Sequence, residues 1–302
     1  MIYNGVLELI GKTPILKVNN LGDENMADVY VKLEKYNPGG SVKDRAALGM
    51  IEKAEKLGLL KPGSTIVEAT SGNTGIGMSM IGSLKGYKVI IVMPETMTKE
   101  RRDLIKAYGA ELLLTDGAKG MKGAIEKANE LVKKNGYFMP QQFENLANSE
   151  KHYMTTAEEI FEDIPDLDVF VSGVGTSGTI MGVSKNLKNK IDGLKIVAVE
   201  PETSRVLSGG KAGPHKIQGI GAGFIPYIYN EKYVDEIVQV SDIDAFKMAK
   251  EFAEKEGMLV GISSGAAIHV AIEIAKKLGK GKKVLAISPD GGEKYISMGI
   301  YD

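Results

Sequence analysis

Short apolar runs rich in Val, Ile and Leu recur along the chain, separated by segments in which apolar residues return with helical spacing. The runs Asp28 to Leu33, Thr65 to Glu68, Val89 to Met93, Glu111 to Thr115, Asp168 to Ser172, Lys195 to Glu200 and Lys283 to Ile287 predict short buried strands. Helices are predicted between them from readable ends. Ala47, Met50, Ile51, Ala54 and Leu57 form one stripe that Gly58 stops, Thr98 caps a segment ending at Gly109, and Gly123 to Lys134 runs up to Gly136. Ser241 with Asp244 reads as a capping box ahead of Ala245, Met248, Ala249 and Phe252, with Gly257 as the stop. Strand and helix in regular alternation predict an α/β fold whose sheets are mostly parallel and covered by helices.

Two stretches break the alternation. Lys134 to Tyr137 and the polar run Gln141 to Ser149 mark a place for one sheet to end and another to begin. Two α/β domains are expected, residues 34–145 and residues 1–33 plus 146–302. The second stretch, Ser204 to Tyr229, is long and rich in Gly and Pro, which in a compact fold marks a functional loop.

Composition then removes several classes of function. The 302 residues include no Cys, so thiolate nucleophiles, disulfides and cysteine-ligated metals are excluded. His152, His215 and His269 lack the short spacings of a metal motif, and no metal is expected. With 38 Lys and Arg against 39 Asp and Glu the formal net charge is −1, which argues against a nucleic-acid partner. The cluster Lys99, Glu100, Arg101 and Arg102 reads as a solvated helix face. No apolar run approaches a membrane span and no signal-like segment opens the chain, so a cytoplasmic protein with no membrane partner is expected.

Three turns rich in glycine and hydroxyl groups sit where a strand hands over to a helix, the place where open α/β sheets bind ligands. Gly173, Gly175 and Gly178 fit G-x-G-x-x-G, and Glu200 ends the next strand about where a ribose-binding carboxylate stands in a dinucleotide site. By itself this segment admits an NAD-binding oxidoreductase or a close-packed turn without a ligand. Its hydroxyls, Thr176, Ser177 and Thr179, suit instead a terminal phosphate at a helix N-terminus. The second turn, Thr70-Ser71-Gly72-Asn73-Thr74-Gly75, offers hydroxyls and N–H groups apt for a carboxylate, where simple capping needs only one such residue. The third, Gly261 to Gly265, opens a helix and by itself decides little.

Lys43 follows Asn37-Pro38-Gly39-Gly40-Ser41-Val42, with Ser41 and Asp44 expected to cap a helix. A cation in the first turn opposes the helix dipole, and Arg45 lies close by. Both lower an ammonium pKa, as a Schiff-base lysine requires. A solvated surface lysine is the alternative reading of the same pattern.

Taken together these segments resemble the pyridoxal-phosphate (PLP) enzymes of the tryptophan synthase β fold type, and within them the cysteine synthase (O-acetylserine sulfhydrylase) family. The resemblance runs in order from Leu9-Ile10-Gly11 and Thr13-Pro14 through Met93 to Met97, Gln141-Gln142-Phe143, Leu207 to Gly210 and Gln218 to Phe224, to Gly261-Ile262-Ser263-Ser264-Gly265. It implies fold type II, PLP on Lys43, and Lys43 as the catalytic base. It further implies that Asn73 meets the ring hydroxyl, Gly175, Thr176, Ser177, Gly178 and Thr179 cradle the phosphate, and Ser263 meets the pyridine nitrogen. The substrate carboxylate would rest on Thr70, Ser71, Gly72, Thr74 and Gln142, with Gly219, Ile220 and Gly221 at the mouth. The implied reaction replaces the acetoxy group of O-acetyl-L-serine by sulfide, with O-phosphoserine or serine as alternative donors. A homodimer and docking of the C-terminal tail of serine acetyltransferase are also implied.

Three departures from the family pattern stand out. Ser177 replaces a usual glycine, which is tolerable with ordinary backbone angles. Lys12 replaces a usual Asn, and Asp290-Gly291-Gly292-Glu293-Lys294 differs from the usual pattern. Neither of the last two is expected to touch the chemistry.

Overall fold

A computed structural model describes residues 2–70 and 72–302. Its strands form two sheets. The smaller holds β3 (Thr65–Ala69), β4 (Lys88–Pro94) and β5 (Glu111–Thr115) in that order, all parallel. The larger runs β1 (Ile15–Lys17), β2 (Asp28–Leu33), β9 (Lys283–Ser288), β6 (Val169–Gly173), β7 (Lys195–Pro201) and β8 (Glu236–Val240). It is parallel except at its edge, where β1 lies antiparallel to β2. The seven strands read from sequence are present, each within a residue or two of its expected ends. The two missed strands, β1 and β8, sit at sheet edges, where a half-exposed strand needs no continuous apolar run.

Helices cover both faces because the strands are apolar on both. Around the smaller sheet, Ile66 and Ile91 pack with Met50 and Ile51 of α1 (Lys43–Lys56) and Ile76 of α2 (Asn73–Leu84). Their neighbours Val67 and Val92 point the other way, onto Ala124 and Ala128 of α4 (Gly120–Asn135), which follows α3 (Lys99–Ala107). In the larger sheet Val169 and Val171 face α8 (Asp242–Glu256) and α9 (Ile262–Leu278), whereas Phe170 faces α6 (Thr156–Asp163) and α7 (Gly178–Leu187). Preceding these, α5 (Ala147–Met154) packs on α7, where a side chain at Gly182 would run into the Ser149 carbonyl.

The predicted capping box holds: Ser241 Oγ accepts from the Asp244 N–H at 3.0 Å and donates to Asp244 Oδ2 at 2.7 Å. Gly257 closes α8 in the left-handed region at φ 75°. The start of α1 is built differently from expectation. Ser41 Oγ accepts from the Lys43 N–H at 3.2 Å, but the Asp44 carboxylate turns back to the Gly39 N–H at 2.6 Å. Among the described residues no helix is long and apolar enough to cross a membrane.

Candidate active site

The C-terminal ends of β3, β6 and β9 open onto one cavity of about 470 Å3. Its lining brings together Lys43, Thr70, Gly72, Asn73, Thr74, Gln142, Gly175, Thr176, Ser177, Gly178, Thr179, Gly219, Ile220, Gly221 and Ser263. Every described residue that the resemblance assigns to cofactor or substrate therefore lines this one cavity. Ser71 lies outside the described residues.

Lys43 enters from the first turn of α1, which an antiparallel bridge between Ser41 and Asp290 and a 2.8 Å bond from the Val42 N–H to the Pro289 carbonyl tie to the end of β9. Burial pushes its pKa below the ordinary lysine value, with Asp290 and Glu34 opposing. Its half-buried place in the cavity lining sets aside the reading of a solvated surface lysine. It also replaces the expected role of Arg45, which points away into a buried network, bonding Glu34 at 2.7 and 2.9 Å and Glu159 at 2.6 and 2.7 Å.

Between β6 and α7 the chain makes its phosphate-like cradle. Gly175 packs so closely that a Cβ there would strike the Gly219 carbonyl, and a Cβ at Gly178 would strike Asn148. Ordinary backbone angles, the condition under which a serine is easily tolerated at 177, are not met: Ser177 is left-handed, at φ 69° and ψ −5°. Such a conformation costs a serine on the order of 1 kcal/mol or more relative to glycine. Its hydroxyl is buried without a hydrogen-bond partner. An orphaned hydroxyl beside the N–H groups opening α7 fits an anionic phosphate ligand. Two residues missed from sequence brace this loop: Asn148 Nδ2 donates to Thr176 Oγ1 at 2.9 Å, and His152 Nε2 lies 3.2 Å from Thr179 Oγ1. Burial, with Arg45 nearby, holds His152 neutral with a pKa of about 3.

Across the cavity Gly72 donates to Thr70 Oγ1 at 3.3 Å and Thr74 Oγ1 donates to Gln142 Oε1 at 2.6 Å. Behind them Glu68 accepts from the Gln141 and Gln142 N–H groups at 3.1 and 3.4 Å. Burial pushes this carboxyl up to about 7. Facing the turn, the Gly221 carbonyl lies 2.9 Å from His215 Nε2, and Ser263 is buried at the start of α9.

Three expectations from sequence need correcting. Arg101 is not on a solvated face: it is 3% exposed, bonds Gln218 and lies 5.0 Å over the Tyr295 ring. Glu200 is not free to hold a ribose, because it is buried and accepts from the Leu207 N–H at 2.9 Å and from Ser208. Asp290 and Lys294, set aside as remote from the chemistry, both bond Asn73.

Residues 6–290 match the family described as pyridoxal-phosphate dependent enzyme. The chain belongs to this family. Among relatives of this pyridoxal-phosphate dependent enzyme, cysteine synthase of Staphylococcus aureus is 56% identical over 300 residues, covering 99% of this chain and 97% of that protein. The solved cysteine synthase of Entamoeba histolytica superposes with a TM-score of 0.96 at 47% identity, covering 100% of this chain and 91% of the other. A hydrogen sulfide-producing enzyme of Fusobacterium nucleatum superposes with a TM-score of 0.93 at 50% identity, covering 97% and 100%. The family's cofactor fits what the cavity offers: a deprotonation-prone lysine, a hydroxyl-lined cradle with an orphaned donor, and a serine at a helix start.

Proposed function

We propose that this enzyme is a cysteine synthase, an O-acetylserine sulfhydrylase that converts O-acetyl-L-serine and sulfide into L-cysteine and acetate. The observation that carries the reading is the convergence on one cavity of Lys43, the hydroxyl-rich Gly175 to Thr179 cradle and the Thr70 to Thr74 turn, in a chain 56% identical along its length to a cysteine synthase.

Bound PLP supplies an electron sink conjugated to the amino acid's Cα. Lys43 would carry the cofactor, and its free amine, in the neutral form, would be the base placed to take the Cα proton. Burial of Lys43 favours that neutral form. Thr70, Gly72, Thr74 and Gln142 would hold the substrate carboxylate at the N-terminal end of α2, and Ser71, outside the described residues, joins them by the sequence resemblance alone. Gly175 to Thr179 would hold the phosphate, and Ser263 would offer the ring nitrogen a hydroxyl, which does not hold a pyridine nitrogen protonated. In the net replacement the Cβ–O bond to acetate would break and a Cβ–S bond to sulfide would form, with the proton held on Lys43 given back to Cα. Gly219, Ile220 and Gly221 limit access at the mouth, keeping water from the reacting carbon.

The reading includes two domains, residues 34–145 and residues 1–33 with 146–302, meeting at the cofactor. It also includes a homodimer, a cytoplasmic setting, and a cleft that accepts the C-terminal tail of serine acetyltransferase. Sedimentation and a fluorescence titration with that peptide test the dimer and the docking. The activity is tested by following the visible absorbance of the holoenzyme as O-acetylserine and then sulfide are added. A band change that sulfide reverses, with cysteine formed, is expected; no response to O-acetylserine, or a stronger one to O-phosphoserine or serine, overturns the proposed substrate.

A further inference from the structure

Asn73 stands at the cavity with both ends of its amide engaged from behind. Lys294 Nζ donates to Asn73 Oδ1 at 3.1 Å, and Asn73 Nδ2 donates to Asp290 Oδ2 at 2.7 Å. Lys294 is 9% exposed and gives its other protons to the carbonyls of Gly40 at 3.0 Å and Gly39 at 3.3 Å. Asp290 is fully buried, and the Tyr295 hydroxyl donates to the same Oδ2 at 2.7 Å.

An amide has two orientations of similar shape, and these partners distinguish them. Turning the Asn73 amide over would set its NH2 against the Lys294 ammonium and its oxygen against the Asp290 carboxylate. Both contacts would change from bonds to repulsions in a partly buried setting, where an unmade hydrogen bond is costly. In the observed orientation the oxygen is spoken for and one of two N–H groups is spent on Asp290. A single N–H is left for the cavity.

We propose that Lys294 and Asp290 are positioning residues for Asn73, fixing its amide so that one N–H is presented to the ring oxygen of the cofactor. The inference rests on the proposed assignment of Asn73 to that oxygen.

The test compares Lys294→Met, Lys294→Arg, Asp290→Ala, Asn73→Ala and the double variant Asn73→Ala/Lys294→Met. Each is read by the half-saturating PLP concentration on reconstitution, the visible circular dichroism of the holoenzyme, and a thermal melt that reports folding. Lys294→Met and Asp290→Ala are expected to weaken PLP binding about tenfold and to alter the visible band. Lys294→Arg, which keeps a donor, is expected to restore both, and Lys294→Met is expected to cost nothing further once Asn73 is alanine. Wild-type affinity and band in Lys294→Met and Asp290→Ala overturn the inference, as does a tenfold loss that persists on the Asn73→Ala background. If Asn73→Ala itself binds PLP like wild type, its assignment fails and the inference falls with it. The proposed reaction is judged separately, by cysteine formation.

Discussion

Thr74 Oγ1 donates to Gln142 Oε1 at 2.6 Å, joining the first turn of α2 to the segment that leaves the smaller sheet. The bond orients the Gln142 amide at the proposed carboxylate turn. Gln142→Ala removes that group and frees the Thr74 hydroxyl. We expect KM for O-acetylserine to rise about tenfold, the equivalent of one ordinary hydrogen bond, with the visible cofactor band unchanged. Steady-state kinetics beside an absorbance spectrum checks this, and a changed band with unchanged KM would contradict it.

Ser177 combines a left-handed backbone with an orphaned buried hydroxyl, and two substitutions separate these effects. Ser177→Gly relieves the backbone and deletes the hydroxyl, so the protein without cofactor should melt higher, gaining about 1 kcal/mol. Ser177→Ala deletes the hydroxyl alone and should gain no such relief. Both should bind PLP severalfold more weakly than wild type, as reconstitution titrations would reveal.

Glu68 gives a pH signature. Burial raises its folded pKa from 4.5 to about 7, so the folded state keeps a proton that the unfolded chain has already lost. The stability associated with that proton is complete below about 4.5 and is lost as pH rises through about 7. Glu68→Gln never ionises. Relative to wild type it should gain about 2–3 kcal/mol between pH 4.5 and pH 8 in denaturant titrations. A difference independent of pH would refute the assignment.

The Glu34–Arg45–Glu159 network runs the opposite way. Burial alone would raise Glu34, but the Arg45 guanidinium outweighs it and holds the carboxyl at about 2. That stability is present above about 4.5 and is lost as pH falls towards 2. Arg45→Met leaves Glu34 buried without its main partner and should destabilise by about 3–5 kcal/mol at pH 7. The deficit should shrink as the solution is acidified, which melts across pH would detect.

What the sequence disclosed and what it hid follow a physical division. Turns such as Thr70 to Thr74 and Gly175 to Thr179 were legible because their chemistry is local, with hydroxyls and glycines concentrated where a strand ends. Lys43 was legible only as one of two readings, since burial, which decides its protonation, is created by distant segments. Asp290 and Lys294 were set aside because they reach Asn73 across 217 and 221 residues of chain. Arg101 looked solvated because charge in a polar run gives no sign of a Tyr295 ring beneath it. The strands β1 and β8 escaped for the opposite reason: too little of either is buried to leave an apolar run.

The strand order of the larger sheet governs when this molecule can be finished. β9, made after the other eight strands described, lies between β2 and β6, with Val284 in register with Val29 on one side and with Val169 on the other. Until it emerges from the ribosome the sheet exists as two unjoined pieces, whereas β3, β4 and β5 have every partner they need within a short span of chain. The smaller sheet can therefore pair early, whereas the turn that carries Lys43 gains its ties to Pro289, Asp290 and Lys294 only after β9 has been made.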